Sequence, residues 1–383
     1  CDQIEREMRD PKAAERFALK QSQAFVDQME GFALDLEDEL MNFSDVSYKS
    51  FVKSESEIIT LFYDKFADIP LLSRMDAVAE TFIDEIETLL NRDLPEEERI
   101  PLIEKFRKMY ETMDFYVLYN RFLKKEGYQT LPRRPLEKRK LRYEDVYPVL
   151  YLKYRLSRQA ERSNIKHLVI DEMQDYSRLQ YLIIRRMFSC KMTILGDRAQ
   201  TMADQQQDVL QFLPGIFGKD LRRIEMRKSY RNTVEIASYA ANLIGVTDLE
   251  LFERHGIPVV ERDVTDLEAA LREAVDTLFP EEKTYETAAV IVPDEKTAER
   301  AYLILREILV EKDFDCEKRL SWLNRDSSSF KKGLTVTTFY LAKGLEFDQV
   351  FSIFPKDEKR EMMMQAQYIA ATRALHELRV YHI

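Results

Sequence analysis

A short apolar run that stops at two adjacent carboxylates constrains this chain more than any other feature: His167-Leu168-Val169-Ile170, then Asp171-Glu172. Apolar residues without alternation, too few for a helix, fit a strand buried on both faces of a parallel sheet, where the loop beyond the carboxyl end is the usual ligand position. Met192-Thr193-Ile194-Leu195 repeats the pattern and ends at Gly196-Asp197. The two runs predict strands over Leu168–Ile170 and Thr193–Leu195, with a helix over Tyr143–Arg158 before them. Further on, strands are expected over Leu221–Met226, Ala288–Val292, Leu334–Thr338, Gln349–Phe354 and Leu378–His382. Helices are expected between them over Thr233–Leu243, Glu295–Val310 and Gln365–Ala374. Such alternation predicts a second, mostly parallel α/β domain.

The amino-terminal third reads differently. Residues 1 to about 130 hold only two glycines, Gly31 and Gly127, and place Phe17, Leu19, Phe25, Met29, Phe32, Leu34 and Leu36 at helical spacing. This predicts a helical domain with loops near Pro70 and Pro95. Leu131-Pro132-Arg133-Arg134-Pro135 with Lys138-Arg139-Lys140 suits a connector better than an element interior. The expected domains are 1–135, helical; 136–218, the carboxyl part of a first parallel-sheet domain; and 219–383, a second one.

Charge and composition narrow the class. The 58 Lys and Arg against 69 Asp and Glu leave a net charge of -11, which argues against a surface dominated by non-specific phosphate binding. Cys1, Cys190 and Cys316 are far apart and the four histidines are scattered, so no disulfide framework or paired metal motif is present. A reducing, cytoplasmic setting is the expectation. No apolar run approaches the roughly 20 residues that span a bilayer, so no membrane partner is expected. Because residue 1 is Cys rather than Met, the chain is expected to begin inside a longer protein.

Adjacent carboxylates after a buried strand suit nucleotide hydrolysis: Asp171 can hold Mg²⁺ and Glu172 can orient or deprotonate a water. Taken singly, the pair fits a solvated strand end or a helix cap better than a catalytic site. Four further segments come after it in a set order. They are Gly196-Asp197-Arg198-Ala199-Gln200, Lys228-Ser229-Tyr230-Arg231-Asn232, Thr338 to Asp348 and Tyr368-Ile369-Ala370-Ala371-Thr372-Arg373-Ala374. The series resembles motifs II to VI of the UvrD/Rep-type superfamily 1 helicases, over about residues 165 to 383.

The resemblance implies two RecA-like (P-loop NTPase) parallel-sheet domains, the first truncated, with the helical region as an insertion. It implies ATP and Mg²⁺ as cofactors, with Asp171 on the metal, Glu172 as general base and Gln200 sensing the γ-phosphate. Tyr230 would stack on adenine, Arg231 would reach the γ-phosphate, and Lys343 and Gly344 would join nucleotide to nucleic-acid contacts. Glu346 would meet the ribose and Arg373 would act as the arginine finger. ATP is expected to close a cleft between the two domains, with Tyr230, Arg231, Glu346 and Arg373 facing Asp171, Glu172 and Gln200.

Departures refine this. No Gly-x-x-x-x-Gly-Lys-Ser/Thr occurs; Gly215-Ile216-Phe217-Gly218-Lys219-Asp220 has the wrong spacing and no hydroxyl. The P-loop is therefore expected upstream of Cys1, and the first sheet, lacking its P-loop strand, is expected to have an edge in need of cover. Tyr340 stands where UvrD/Rep-type motors carry histidine, and Tyr340 to Asp348 resembles the HelD branch of RNA polymerase-associated helicase-like factors. Asp171 to Ser177 and the short interval from Tyr230 to Thr338 agree with that branch. RNA polymerase is then the implied partner. A 3'-to-5' DNA helicase, with single-stranded DNA as partner, and a non-catalytic binding module of helicase fold are the rival readings.

Overall fold

The computed structural model describes residues 11–158, 164–197, 200, 209–226, 228–246, 250–312, 315–324, 327, 332–356 and 361–383. Cys1, Arg198, Ala199 and Arg227 lie outside them. The described residues divide into two compact units, one drawn from 11–195 with 209–221 and the other from 196–200 with 222–383.

In the first unit, helices α1 (Pro11–Gln21), α2 (Gln23–Glu39), α3 (Glu55–Thr60), α4 (Leu71–Leu90), α5 (Glu96–Arg107) and α6 (Phe115–Lys125) precede α7 (Tyr143–Leu156). A small antiparallel hairpin, β1 (Val46–Tyr48) and β2 (Phe51–Lys53), interrupts them and had no signal in the sequence. Ser22 caps α2 by accepting from the Phe25 amide, and Ser54 forms a reciprocal box with Glu57 at α3. The apolar stripe is as spaced: Phe17, Phe25, Met29, Phe32 and Leu36 are buried, while Leu19 and Leu34 face solvent. One core runs from Phe25 through Leu156 to Leu179 and Ile183, so helices on both sides of the basic connector pack together.

Strands β3 (His167–Ile170) and β4 (Lys191–Ile194) pair in parallel, joined through α8 (Arg178–Met187). Ile170 packs with Tyr181 of α8 and with Val209, Phe212 and Leu213 of α9 (Val209–Phe217) on one face, whereas Val169 on the other is 59% exposed. Among the described residues, the parallel sheet of this unit consists of these two strands.

The second unit begins with a short parallel pair, β5 (Lys228–Ser229) and β6 (Glu250–Leu251). Its main sheet is built from β7 (Val260–Asp263), β8 (Thr287–Val292), β9 (Leu320–Trp322), β10 (Gly333–Thr338), β11 (Phe347–Phe354) and β12 (Ala374–His382). These six strands are parallel and lie in the order β7-β12-β11-β8-β10-β9. Alternation along β8 splits the core. Ala288, Val290 and Val292 pack on α11 (Leu267–Asp276) and α12 (Glu295–Glu311), whereas Ala289 and Ile291 pack on α10 (Val234–Leu243) and a helix near the carboxyl end. A single turn, α13 (Cys316–Arg319), leads into β9, and that last helix is α14 (Glu361–Thr372). Helices on both faces of a parallel sheet are the α/β architecture expected.

One strand is corrected. Leu221–Met226 forms no strand among the described residues, with Ile224 and Met226 largely open to solvent; the nearest pairing among them is that of β5 with β6. Its apolar residues fit a strand pattern, and a strand needs a partner ladder as well as a pattern.

Candidate functional site

At the end of β3 the chain leaves the strand abruptly. Glu172 takes a left-handed conformation, φ 52°, a position that costs a non-glycine residue free energy and is held by its surroundings. The Met173 amide donates to Leu195 O at 2.8 Å, and Gln174, buried, donates to Glu172 Oε2 at 2.6 Å. Asp171 Oδ1 accepts the Glu172 amide at 2.8 Å, and the Asp171 side chain faces solvent. A turn this tight sets two carboxylates side by side on the loop beyond a parallel strand.

In the second unit, register explains the other half of the constellation. Phe347 pairs with Ala374, so the residues just before them, Glu346 and Arg373, enter neighbouring strands side by side. Arg231 Nε meets Glu346 Oε1 at 2.6 Å, with both side chains about half exposed. Arg373 is 2% exposed, and its guanidinium donates to Gln200 Oε1 (3.2 Å), Thr372 Oγ1 (3.2 Å), Ile369 O (3.3 Å) and Leu345 O (3.5 Å). Gln200 Nε2 in turn donates to Asp197 Oδ2 at 3.0 Å, which fixes which end of the amide is oxygen. Tyr368 OH donates to the same carboxylate at 3.1 Å; burial, then the charge of Asp197, pushes its phenol well above the ordinary value. Gln200 and Arg373 therefore share one compact unit, although the sequence grouped Gln200 with Asp171 and Glu172.

The remaining residues fall around this pair. Lys343 and Gly344 lie in the turn that crosses from β10 to β11, where Gly344 has φ 81°, a conformation glycine takes freely. Tyr230 is 60% exposed and leans on Phe252, ring centroids 5.5 Å apart, with Lys228 Nζ within 5.8 Å of both rings. Phe252 carries no motif signal; β5–β6 pairing puts it opposite Tyr230. Asn232 lies inside a motif with no role implied for it, and Arg254 lies outside every motif; both bridge the loops that carry the arginines. Close by, Glu235 accepts from the Gly256 amide (2.8 Å) and contacts His255 Nδ1 (3.0 Å), and these bonds lower its pKa to about 2.

An open aromatic ring, an exposed arginine–carboxylate pair and a buried guanidinium are a donor set that fits a nucleotide: ring for base, carboxylate for ribose hydroxyls, cations for phosphate. Among the described residues no cluster of three or more His, Cys, Asp or Glu could hold a metal. Mg²⁺ on Asp171 would take its other ligands from phosphate and water, as this ion commonly does.

The class these features define is a parallel-sheet α/β protein with a buried and an exposed arginine grouped at the starts of two adjacent strands. The family described as UvrD/REP helicase N-terminal domain matches residues 3–202, more than half of the sequence, and the chain belongs to it, among the UvrD-type superfamily 1 helicases. Similar solved structures include the C-terminal domain of a possible DNA helicase from Lactobacillus plantarum WCFS1. It is 23% identical, over 40% of this chain and 88% of that one, with a TM-score of 0.31. The PRRSV helicase is 14% identical over 70% of this chain and 45% of its own, TM-score 0.32. Arterivirus nonstructural protein 10 (helicase), in complex with DNA, is 13% identical over 70% and 51%, TM-score 0.31. The chain thus spans about half the length of these two viral helicases. No curated protein matches it. No helix of the described residues is long and apolar enough to cross a membrane.

Proposed function

We propose that this chain works within an ATP-driven superfamily 1 motor, most like the HelD branch, that couples ATP hydrolysis to remodelling or releasing RNA polymerase from nucleic acid. The observation that carries the ATP reading is the grouping of Arg231, Glu346, Gln200 and Arg373 at the starts of two adjacent strands. In this reading Asp171 holds Mg²⁺ and Glu172 is the general base. Tyr230 stacks on adenine, Arg231 and Arg373 neutralise phosphate charge, and Glu346 takes the ribose. Gln200 reports the γ-phosphate, and Lys343 and Gly344 link the site to nucleic acid. The domains take roles accordingly: 1–135 as the insertion, 136–218 as the first RecA-like domain and 219–383 as the second. The 383 residues contain no P-loop, so they supply no cradle for the β- and γ-phosphates.

The HelD assignment is supported by Tyr340 to Asp348 and by the net charge of -11, which favours a protein partner over a nucleic-acid backbone. Membership of the UvrD/REP family favours the second reading, a 3'-to-5' DNA helicase. Single-stranded DNA binding by this chain, measured at about physiological ionic strength, where charges are screened beyond about 8 Å, separates them. Weak DNA binding with retention of RNA polymerase on the immobilised chain is expected. Tight DNA binding without polymerase would replace the first reading by the second.

A further inference from the structure

The loops that carry Arg231 and Arg373 are joined by side chains rather than by a strand. Asn232, 7% exposed, directs its Nδ2 to Thr372 O at 3.2 Å and to Ala374 O at 2.6 Å, the carbonyls on either side of Arg373. A carboxamide nitrogen has two N–H groups, and here each has an acceptor. The carbonyl between them, Arg373 O, accepts the Phe347 amide at 2.9 Å. Arg254 adds a second tie: its Nη2 donates to Arg231 O and, at 2.8 Å, to Leu375 O. All four carbonyls from 372 to 375 are thus engaged. Strand β7 pairs β12 only over Arg379–His382, so the start of β12 takes its outer donors from Asn232 and Arg254 in place of a strand.

The residues that follow Asn232 are tied down as well. Thr233 caps α10 by accepting from Ile236 N at 3.4 Å, and Val234 N donates to Arg254 O at 2.9 Å, which fixes the backbone on the far side of the amide. We infer that Asn232 is a positioning residue: its two hydrogen bonds set the backbone of Arg373, and so the Gln200 contact, relative to Arg231. This rests on the nucleotide reading for its consequence, since two arginines held at fixed separation can contact one phosphate group together. Arg254 supports the same alignment from the Arg231 side.

The test is the arginine side-chain ¹⁵N spectrum of the full chain, with the Arg373 Nε–Hε signal assigned by its loss in Arg373→Lys. Arg379, whose Nε donates to Glu377 Oε1 at 2.8 Å, is the internal reference. In Asn232→Ala and in Asn232→Asp, which keeps the size and loses both donors, the Arg373 signal is expected to shift and its proton to exchange several-fold faster, with Arg379 unchanged. If Asn232→Ala does not fold, Asn232→Ser, which keeps one donor, is read instead and should give an intermediate change. An unmoved Arg373 signal in a folded variant, or equal movement of Arg379, overturns the inference. The same variants should lose any preference for ATP over ADP in a binding titration. Absence of that preference in the wild-type chain would defeat the nucleotide reading, while the Arg373 signal still decides the role of Asn232.

Discussion

Replacing Lys20 by Met should destabilise the helical unit far more than breaking an ordinary surface ion pair. Lys20 Nζ lies 2.5 Å from Asp145 Oδ1, with side chains 7% and 0% exposed. Tyr119 OH donates to the same oxygen at 2.6 Å, and Asp145 Oδ2, also buried, accepts no hydrogen bond among the described residues. Methionine fills most of the lysine stem, so little apolar contact is lost; the change removes the counter-charge of an interior carboxylate. Exposed pairs contribute about 0–1 kcal/mol, whereas removing one partner of a buried pair costs about 3–5 kcal/mol. For a unit of this size each kcal/mol moves Tm by about 2–4 °C, which gives a fall of about 6–20 °C. The assay exploits the single tryptophan, Trp322, which lies on β9 of the other unit. Helical circular dichroism should therefore record the loss, and Trp322 fluorescence should move much less. Adding Asp145→Leu together with Tyr119→Phe to Lys20→Met should recover most of the stability, because the stranded charge is gone and no buried hydroxyl is left without its acceptor. A fall under about 4 °C, within the range of a surface pair, would refute the reasoning.

The depressed pKa of Glu235 makes a pH prediction. Its folded value of about 2 lies below the ordinary 4.5, so its bonds to Gly256 and His255 add stability that is complete above about 4.5 and is lost as pH falls towards 2. Urea midpoints of wild type and Glu235→Gln should differ above that window and converge within it; a gap that widens on acidification would show the sign to be wrong. Gly344→Ala should cost about 1–2 kcal/mol in the Trp322 transition, the penalty of a left-handed alanine, since its Cβ would meet nothing within 4 Å. A larger loss would mean that the turn is crowded.

Legibility in the sequence depended on whether the signal was local. Strand β8 was legible because an unbroken apolar run marks burial on both faces. Strands β10 and β11, buried along most of their length, were legible although Thr335, Thr337 and Ser352 interrupt their apolar residues, and β3 showed the same kind of run although its Val169 faces solvent. β7 and β9 were not: Val260-Glu261-Arg262-Asp263 is an edge strand of mostly charged residues, and Leu320–Trp322 is too short to show a period. Leu221–Met226 shows the opposite failure, a strand pattern without a ladder. The order of the motifs named Arg231, Glu346 and Arg373, but the adjacency of Glu346 and Arg373 comes from the register of β11 on β12, which is a property of the sheet, and Arg231 joins them through its ion pair with Glu346. Asn232 and Arg254 act on carbonyls more than a hundred residues away, and no local pattern marks such contacts.

The central claim is that this chain holds part of an ATP site, and nucleotide binding tests it most directly. Titration of the purified chain with a fluorescent ATP analogue and Mg²⁺ should show weak, saturable binding. Arg231→Ala should weaken it by about tenfold or more, the loss of one charge-assisted contact at about 1.5–3 kcal/mol, and Tyr230→Ala should weaken it too, while phosphate release stays at background. Binding indifferent to both substitutions, or turnover at about 1 s⁻¹ or faster by the chain alone, would contradict the account.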